Sequence, residues 1–362
     1  MRIAFYSPIT EPQAAKASGI SRVCALLVQA LQQAGNVVDI VPLPRSFDGK
    51  GDQARQAHLF SECENAATNY LEAVALGREP RPNLWFSYHV YYKSPDWIGP
   101  RVARTLNIPY VIAEGSHAPK RASGPWALGH DGTTKALQAA DRLLAMTRFD
   151  RVCLEWIAAD KVRDLKPFID TAPFAKIHRK HTATTPRLLA VAMMHNDRKL
   201  ASYRLLADAL GKLSSAFALT IAGDGTHRSE IERAFAGASQ AQFLGKVAHA
   251  DLPALMAESD IFVWPGPGEA YGLAYLEAQA AGQPVVACSD RGVPDVVVAG
   301  ETALLSMPND ADAYAYNLQK VIDDGSLRDL MSENARRFAT GQRDVTIAAQ
   351  HLRAILGELR GG

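Results

Sequence analysis

Several features that mark specialised proteins are missing from this chain. Its four cysteines are far apart and include no Cys-x-x-Cys pair, so the sequence predicts reduced thiols rather than a disulfide framework. No apolar run approaches the roughly 20 residues needed to span a bilayer, and Met1-Arg-Ile-Ala-Phe-Tyr lacks a signal-peptide pattern. Lysine and arginine total 39 against 38 acidic residues, and the net charge of +1 gives no general attraction for nucleic acid. We therefore expect a globular protein of the cytoplasm.

Cofactor and metal motifs are missing as well. The ten histidines include neither His-x-His nor His-Glu-x-x-His, so no zinc site is predicted. The first strand is followed by Ser7-Pro8-Ile9 instead of Gly-x-Gly-x-x-Gly, which argues against a nicotinamide enzyme. Asp310-Ala-Asp312 opens a helix, where acidic residues are expected in the first turn without any metal. We therefore expect no metal and no resident cofactor.

The chain does contain an alternation of strand and helix patterns. It begins with a buried strand from Arg2 to Tyr6, and apolar residues between Ile20 and Leu31 then recur at helical spacing. A second alternation starts at Arg187, after the aperiodic residues 171–186, which we interpret as a linker. A length of 362 residues suits two domains, and the alternation predicts an α/β protein with parallel sheets of Rossmann type.

The most informative stretch runs from residue 264 to residue 277. An apolar strand ends there in a Pro-Gly-Pro-Gly loop, and small and apolar residues then predict a helix. The amides of the first helical turn, near Gly272 and Leu273, would face an anion with the helix dipole behind them. Glu269 in the loop and Glu277 on the helix would repel a bare phosphate, but they suit the hydroxyls of a nucleotide-sugar. This stretch therefore predicts a nucleotide-sugar site.

At these residues the sequence resembles the group 1 (family 4) retaining glycosyltransferases of GT-B fold. Their signature is two glutamates separated by seven residues, which here are Glu269 and Glu277. The resemblance covers most of the chain and is strongest from about Arg187 to Leu305. It implies two Rossmann-like domains facing each other across a deep cleft. It also implies a metal-independent hexosyl- or other glycosyltransferase that moves a sugar from a nucleoside-diphosphate-sugar to an acceptor with retention of configuration.

The same resemblance implies a role for several donor-binding residues. Glu277 is expected to bind the ribose hydroxyls, Glu269 to hold a hydroxyl of the donor sugar, and Lys199 to bind phosphate. Gly19 follows Ser18, which stands where the family has the first of two glycines, and it either approaches the diphosphate or simply begins a helix. The expected donor-binding residues are Gly19, His195, Arg198, Lys199, Gly223, Gly225, Leu244, Val247, Tyr271, Gly272, Leu273 and Glu277.

One position departs from the family. Most members have an arginine shortly after the first strand of the second domain, where it joins the lysine in holding the distal phosphate, and here that position is Met193. A thioether cannot supply the charge. Either the site works with one cation fewer, or His195 or Arg198 replaces the arginine. A histidine in that role would donate charge only when protonated, so donor affinity would weaken as pH rises.

The acceptor side rests on residues that follow strands of the first domain. The family often has a histidine just after the strand that here ends near Ala113, and His117 is displaced from that place by about two positions. His117 is the first candidate for a sugar or acceptor contact and Glu114 the second, and with Glu269 they form the expected catalytic set. Further candidate acceptor residues are His89, Lys93 and Lys120.

We expect an N-terminal acceptor domain at residues 1–170 and a donor-binding domain at 187–344. The last helix, about 345–362, is expected to pack back on the first domain. The donor is a nucleotide-sugar, and the acceptor is a saccharide, a lipid-linked molecule or a small molecule. Peripheral contact with the inner face of a membrane stays open, as do two alternative functions: an epimerase or phosphorylase of the same fold, and a non-catalytic subunit that binds a nucleotide-sugar.

Overall fold

The computed structural model describes residues 1–12, 18–175, 185–195, 197–237 and 241–359. They form two compact units, of which the first comprises residues 1–166 with the segment from 345 onward, and the second comprises residues 167–344. We drew the sequence-based boundary at residue 170. In the structure the amide of Ile169 donates to the carbonyl of Arg343 (2.9 Å), and the Thr171 hydroxyl donates to Asp344 (2.5 Å). These bonds place the chain from Pro167 onward in the second unit.

The first unit is a parallel sheet covered by helices. Its strands are β1 Arg2–Tyr6, β2 Val37–Ile40, β3 Leu84–Tyr88, β4 Tyr110–Ala113, β5 Arg142–Ala145 and β6 Val162–Asp164. Its helices in this part of the chain are α1 Gly19–Gln33, α2 Gln53–Ala75, α3 Gly99–Leu106, α4 Ala127–Ala139 and α5 Arg148–Ala158. The strand order is β2-β1-β3-β4-β5-β6, and every pairing is parallel. Strands β3 and β4 are buried along their whole length because helices cover both faces of the sheet.

The second unit repeats this architecture. Its strands are β7 Arg187–Val191, β8 Ala218–Ala222, β9 Ala241–Gly245, β10 Ile261–Val263, β11 Val285–Cys288 and β12 Ala303–Ser306. Its helices are α6 Asp197–Leu210, α7 Arg228–Ala234, α8 Leu252–Ala257, α9 Leu273–Ala280, α10 Val293–Val296, α11 Ala311–Asp323 and α12 Gly325–Gln342. The strand order is β12-β11-β10-β7-β8-β9, again with parallel pairings throughout. The order reverses between β7 and β10, and a crevice is expected outside the carboxyl ends of those strands.

The last helix returns to the first unit. This helix, α13 Val345–Gly357, packs against α1. The Arg353 guanidinium donates to the carbonyls of Ala34 and Gln33, both at 3.2 Å, just past the end of α1. The first unit is therefore built from two separate segments of the chain.

Two elements of the first unit, α5 and β6, are not among the sequence predictions. Helix α5 buries just one side chain completely, that of Leu154, while Phe149 and Trp156 are 61% and 71% exposed. Its apolar residues therefore lie on exposed as well as buried sides of the helix and do not by themselves mark the face that packs on the core. Strand β6 has three residues at the edge of the sheet, which is too short for an alternation to be recognised.

The four cysteines are free thiols. Cys24, Cys63 and Cys288 are buried and Cys153 is half-buried. Burial raises the pKa of the Cys24 and Cys63 thiols to about 12, so these two side chains stay protonated at neutral pH and serve as core residues.

Candidate functional site

The loop between β10 and α9 needs glycine at particular positions. Gly266, Gly268 and Gly272 all have positive φ, at 65°, 80° and 75°. A Cβ atom at Gly266 would overlap the hydroxyl of Tyr275, which donates to the carbonyl of Trp264 (3.0 Å). The backbone therefore turns sharply after the strand and reaches the start of α9 without side chains in its way.

Glu269 lies in this loop and contacts two residues from elsewhere in the second unit. Its Oε1 forms an ion pair with the Nζ of Lys199 and accepts a hydrogen bond from the indole Nε1 of Trp264 (3.1 Å). The Lys199 ammonium also lies 5.2 Å from the centre of the Trp264 ring. The side chains of Lys199 and Glu269 are about one-fifth exposed, at 21% and 18%. The structure thus joins two predicted donor residues and adds Trp264, which the sequence analysis assigned no chemical role.

The two candidates for the missing arginine lie near the start of α6, His195 just before the helix and Arg198 in its first turn. The side chain of Arg198 lies beside Gly268, since a Cβ there would be 3.1 Å from its Cδ atom. The ring of His195 lies beside Gly225 instead, since a Cβ there would be 2.8 Å from its Nδ1. The two candidates for the missing arginine therefore approach different loops, and the described residues do not include Asn196, which stands between them.

The loops after β7 and β8 are held together by backbone contacts. The amide of Met194 donates to the carbonyl of Asp224 (2.9 Å), and the amide of His227 donates back to Met194 (2.9 Å). A Cβ at Gly223 would overlap the carbonyl oxygen of Ala192, which shows how closely the two loops pass. Gly223 and Gly225 are therefore needed first for this packing, and their expected contact with a donor stays a prediction.

Glu277 is buried on α9, with 2% of its side chain exposed. Its Oε1 lies 3.1 Å from the Nε2 of His249, a half-exposed residue in the turn before α8. The sequence did not indicate His249, although the residue follows Val247, an expected donor-binding residue, by only two positions. The expected role of Glu277 toward ribose stays a prediction.

The remaining donor candidates lie around the same crevice. Gly272 is the N-cap of α9, and its carbonyl accepts from the amide of Tyr275 in the first turn (3.1 Å). Leu273 and Tyr271 beside it are buried, whereas Leu244 at the end of β9 is 39% exposed and Val247 is half-buried. The carboxylate of Asp290 accepts from the amide of Gly268 (2.7 Å), and this third residue without a sequence signal ties the glycine loop to the end of β11.

In the first unit, His89 and Glu114 meet at the ends of β3 and β4. The His89 Nδ1 lies 3.2 Å from the Glu114 Oε1, and both residues have positive φ, at 65° and 56°. Burial lowers the pKa of His89, but the nearby Glu114 charge outweighs it, and the resulting pKa lies above the usual 6.5. Burial also raises the pKa of the neighbouring Asp150 carboxyl to about 6. Two non-glycine residues in strained backbone at adjacent strand ends are typical of a functional site.

His117 pairs with a residue that the sequence did not suggest, His130 on α4. The ring centres lie 5.0 Å apart, and burial together with the second ring lowers the pKa of His117. The Nδ1 of His117 and the Nε2 of His130 are buried and make no hydrogen bond to any residue within the described ranges. Ring nitrogens of this kind can donate to or accept from a ligand hydroxyl.

Gly19 has a simple local role. It is the first residue of α1, and the preceding Ser18 closes a capping box in which its hydroxyl accepts from the amide of Ser21 (3.1 Å). A Cβ at Gly19 would meet nothing within 4 Å. Packing among the described residues therefore gives no reason for glycine at this position.

The three expected catalytic residues belong to different units. Glu114 contacts His89 and His117 contacts His130 in the first unit, while Glu269 contacts Lys199 in the second. Within the described ranges, no three or more His, Cys, Asp or Glu residues are grouped so that they could hold a metal ion. No helix in the same ranges has the length and apolar character required to cross a bilayer.

Two units, each a parallel six-stranded sheet with helices, define the class as an α/β protein of GT-B fold. Residues 175–338 match the family model described as glycosyl transferases group 1. The sulfoquinovosyl transferase SQD2 of Arabidopsis thaliana is 33% identical over 255 residues, which is 65% of this chain and 49% of that protein. The chain spans about half the length of the curated relatives it matches.

Solved structures match the chain over its whole length. Sucrose-phosphate synthase from Thermosynechococcus elongatus superposes with a TM-score of 0.75 at 20% identity, covering 99% of both chains. Anabaena HepE, in complex with UDP, has a TM-score of 0.75 at 16% identity and covers 99% of this chain and 100% of its own. Residues 175–338 of the second unit are therefore similar to the group 1 glycosyltransferases, and the chain has the GT-B fold.

Proposed function

We propose that this chain is a retaining glycosyltransferase that moves a sugar from a nucleoside-diphosphate-sugar to an acceptor hydroxyl without a metal. The observation that carries the proposal is the cluster of Lys199, Glu269 and Trp264 at the reversal point of the second sheet. Lys199 and Arg198 lie in the first turn of α6, where the helix dipole disfavours cations. The negative charge of a bound diphosphate would offset the unfavourable interaction of these cations with the helix dipole.

The proposed reaction breaks the bond between the anomeric carbon and the phosphate oxygen. The acceptor oxygen bonds to the same face of the sugar, and its proton passes to the departing phosphate. Negative charge grows on that phosphate, and Lys199, Arg198 and the first amides of α9 are the groups placed to stabilise it. Glu269, held by Trp264, would orient a sugar hydroxyl.

A panel of nucleoside-diphosphate-sugars tests the proposal by thermal shift and by release of nucleoside diphosphate. A donor at 100 times its Kd stabilises the folded state by about 2.7 kcal/mol, so the right one should raise Tm clearly. The structure of Anabaena HepE contains UDP, so uridine-diphosphate sugars are the first donors to test. NMR of the product's anomeric signal should show retention. A panel in which no nucleotide-sugar shifts Tm would refute the proposal, and donor conversion without any acceptor would indicate an epimerase.

A further inference from the structure

A cluster of cations and aromatic rings lies beside the His89–Glu114 pair in the first unit. The Lys93 Nζ is 5.2 Å from the centre of the Trp126 ring and 6.0 Å from that of Tyr92. The Arg121 guanidinium carbon is 5.3 Å from the Tyr92 ring, and the two rings meet edge to face at 5.2 Å. Two positive side chains are thus positioned by the faces of two aromatic rings.

These cations are not neutralised by acids. Within the residues that the structure describes, neither Lys93 nor Arg121 has a carboxylate within ion-pair distance. The buried Nε of Arg121 makes no hydrogen bond to them either. The neighbouring acid Asp48, whose amide donates to the carbonyl of Lys93, uses its own carboxylate to accept from three backbone amides and from Gln56. Glu114 is engaged with His89.

Backbone contacts place this cluster where a parallel sheet binds ligands. The amide of Ser116, in the loop after β4, donates to the carbonyl of Val90 in the loop after β3 (2.9 Å). A Cβ at Gly129 on α4 would overlap the carbonyl oxygen of Tyr92, so the start of α4 lies against the same loop. Both loops follow the carboxyl ends of adjacent strands, which is the usual ligand position in open α/β sheets. The exposed Lys120 precedes Arg121 and adds a third cation at the rim.

We infer that the acceptor carries an anionic group, a phosphate monoester or diester attached to a sugar or polyol, and that Lys93 and Arg121 bind it. This inference rests on the proposed function, because it assigns the acceptor of that reaction. A cation oriented by an aromatic face keeps its full charge for an external anion, whereas an ion-paired cation does not. The unpaired ring nitrogens of His117 and His130 lie on the same loop and helix, and they suit the hydroxyls of the same acceptor.

The test compares matched acceptors with and without phosphate. Glucose 6-phosphate and myo-inositol 1-phosphate are titrated by calorimetry beside glucose and myo-inositol, using wild type, Lys93→Gln and Arg121→Gln. The phosphorylated compounds alone should bind, and each variant should weaken their binding about 10- to 100-fold, the loss expected for one charged hydrogen bond. Arg121→Lys keeps the charge and should retain most of the affinity, which separates charge from folding. Lys135→Gln, at an exposed residue on α4 paired with Asp131, is the control and should change nothing.

Vesicles containing phosphatidylinositol, compared with phosphatidylcholine alone, decide whether the phosphate belongs to a lipid headgroup or to a soluble molecule. Binding in either arm that depends on Lys93 and Arg121 supports the inference. Equal binding of neutral and phosphorylated compounds, no binding of the phosphates in either arm, or phosphate binding unchanged in both glutamine variants would overturn it. Donor hydrolysis without phosphate binding would refute this inference alone, whereas phosphate binding by a protein that binds no nucleotide-sugar would refute the proposed function alone.

Discussion

At the scale of single residues, the site is a set of charged side chains held by specific neighbours. Glu269 faces a cation and an indole, and Glu277 is buried against His249. The Glu269 carboxylate is held by two donors, and this preorganises it to bind a ligand. The Glu277 carboxylate is buried, and burial of a charged group costs free energy unless the group keeps a hydrogen-bond partner. The two glutamates of the signature should therefore respond differently to substitution.

We expect Glu277→Ala to weaken donor and free nucleoside diphosphate alike, by roughly 1 to 3 kcal/mol for two lost hydrogen bonds to ribose. Glu269→Gln should mainly lower kcat, because the amide oxygen can still accept from Trp264 while the charge facing the sugar is gone. Calorimetry with the nucleoside diphosphate and steady-state kinetics measure the two effects separately. Glu277→Gln, which keeps the side-chain volume, controls for damage to the fold, and normal binding and turnover in both main variants would show that the site is wrongly assigned.

The replacement for the missing arginine has two candidates with different pH behaviour. If His195 supplies the contact, nucleoside diphosphate affinity should fall as pH rises from 6 to 8.5, since a neutral imidazole carries no charge. His195→Ala should then remove that dependence and lower affinity at pH 6. Calorimetry on wild type, His195→Ala and Arg198→Ala decides between them. A flat profile that only Arg198→Ala lowers would assign the contact to Arg198, which already lies beside Gly268.

The His89–Glu114 pair should make the stability of the first unit depend on pH. Because the folded-state pKa of His89 is raised above 6.5, the pair adds stability that is fully present below that value and is lost as pH rises through the folded pKa. Glu114→Gln should therefore lower Tm more at pH 6 than at pH 9. Thermal unfolding of both proteins across this range measures the difference, and a Tm loss that is equal at every pH would contradict the charge interaction.

At the scale of elements, the loops after β7 and β8 act as one packed pair. Gly223→Ala would force a Cβ atom into the carbonyl of Ala192, and overpacking of this kind costs about 1 to 3 kcal/mol. We expect a lower Tm and weaker nucleotide binding, because His195 and Lys199 follow the displaced strand end. Gly341→Ala near the end of α12 is the matched control, since a Cβ there meets nothing within 4 Å and alanine favours a helix. Equal Tm values for the two variants would show that this loop contact does not matter.

At the scale of the whole molecule, the chain has almost no net charge, so its positive groups act locally. In the second unit, Lys199 at the start of α6 pairs with Glu269, and Arg198 beside it lies against Gly268 in the loop before α9. If these groups stabilise the departing phosphate, transfer should survive an excess of EDTA with little change in rate. Loss of activity that manganese or magnesium restores would contradict this prediction.

The sequence alone was enough to predict the α/β architecture and to single out the residues of the glycine loop. Apolar runs such as β3 and the helical spacing in α1 are local patterns, and each predicts its own element without knowledge of the rest of the chain. The recognition as a group 1 glycosyltransferase of GT-B fold is confirmed by the family match and the structural neighbours. The three-residue strand β6 leaves too weak a pattern to be predicted, and the apolar residues of α5 lie on its exposed as well as its buried side.

Only the tertiary structure decided which of these residues meet. Lys199 and Glu269 are 70 positions apart, and they touch because β7 and β10 are neighbours in the sheet although β8 and β9 lie between them in the sequence. His89 meets Glu114 because the two residues follow the adjacent strands β3 and β4, whereas His249 meets Glu277 through loop packing, since β9 and β10 are not neighbours in the sheet. The local periodicity of apolar residues determines where helices and strands form, because it depends only on residues that are close in the sequence. Side-chain pairs across strands depend instead on strand order and loop packing, which are properties of the folded chain.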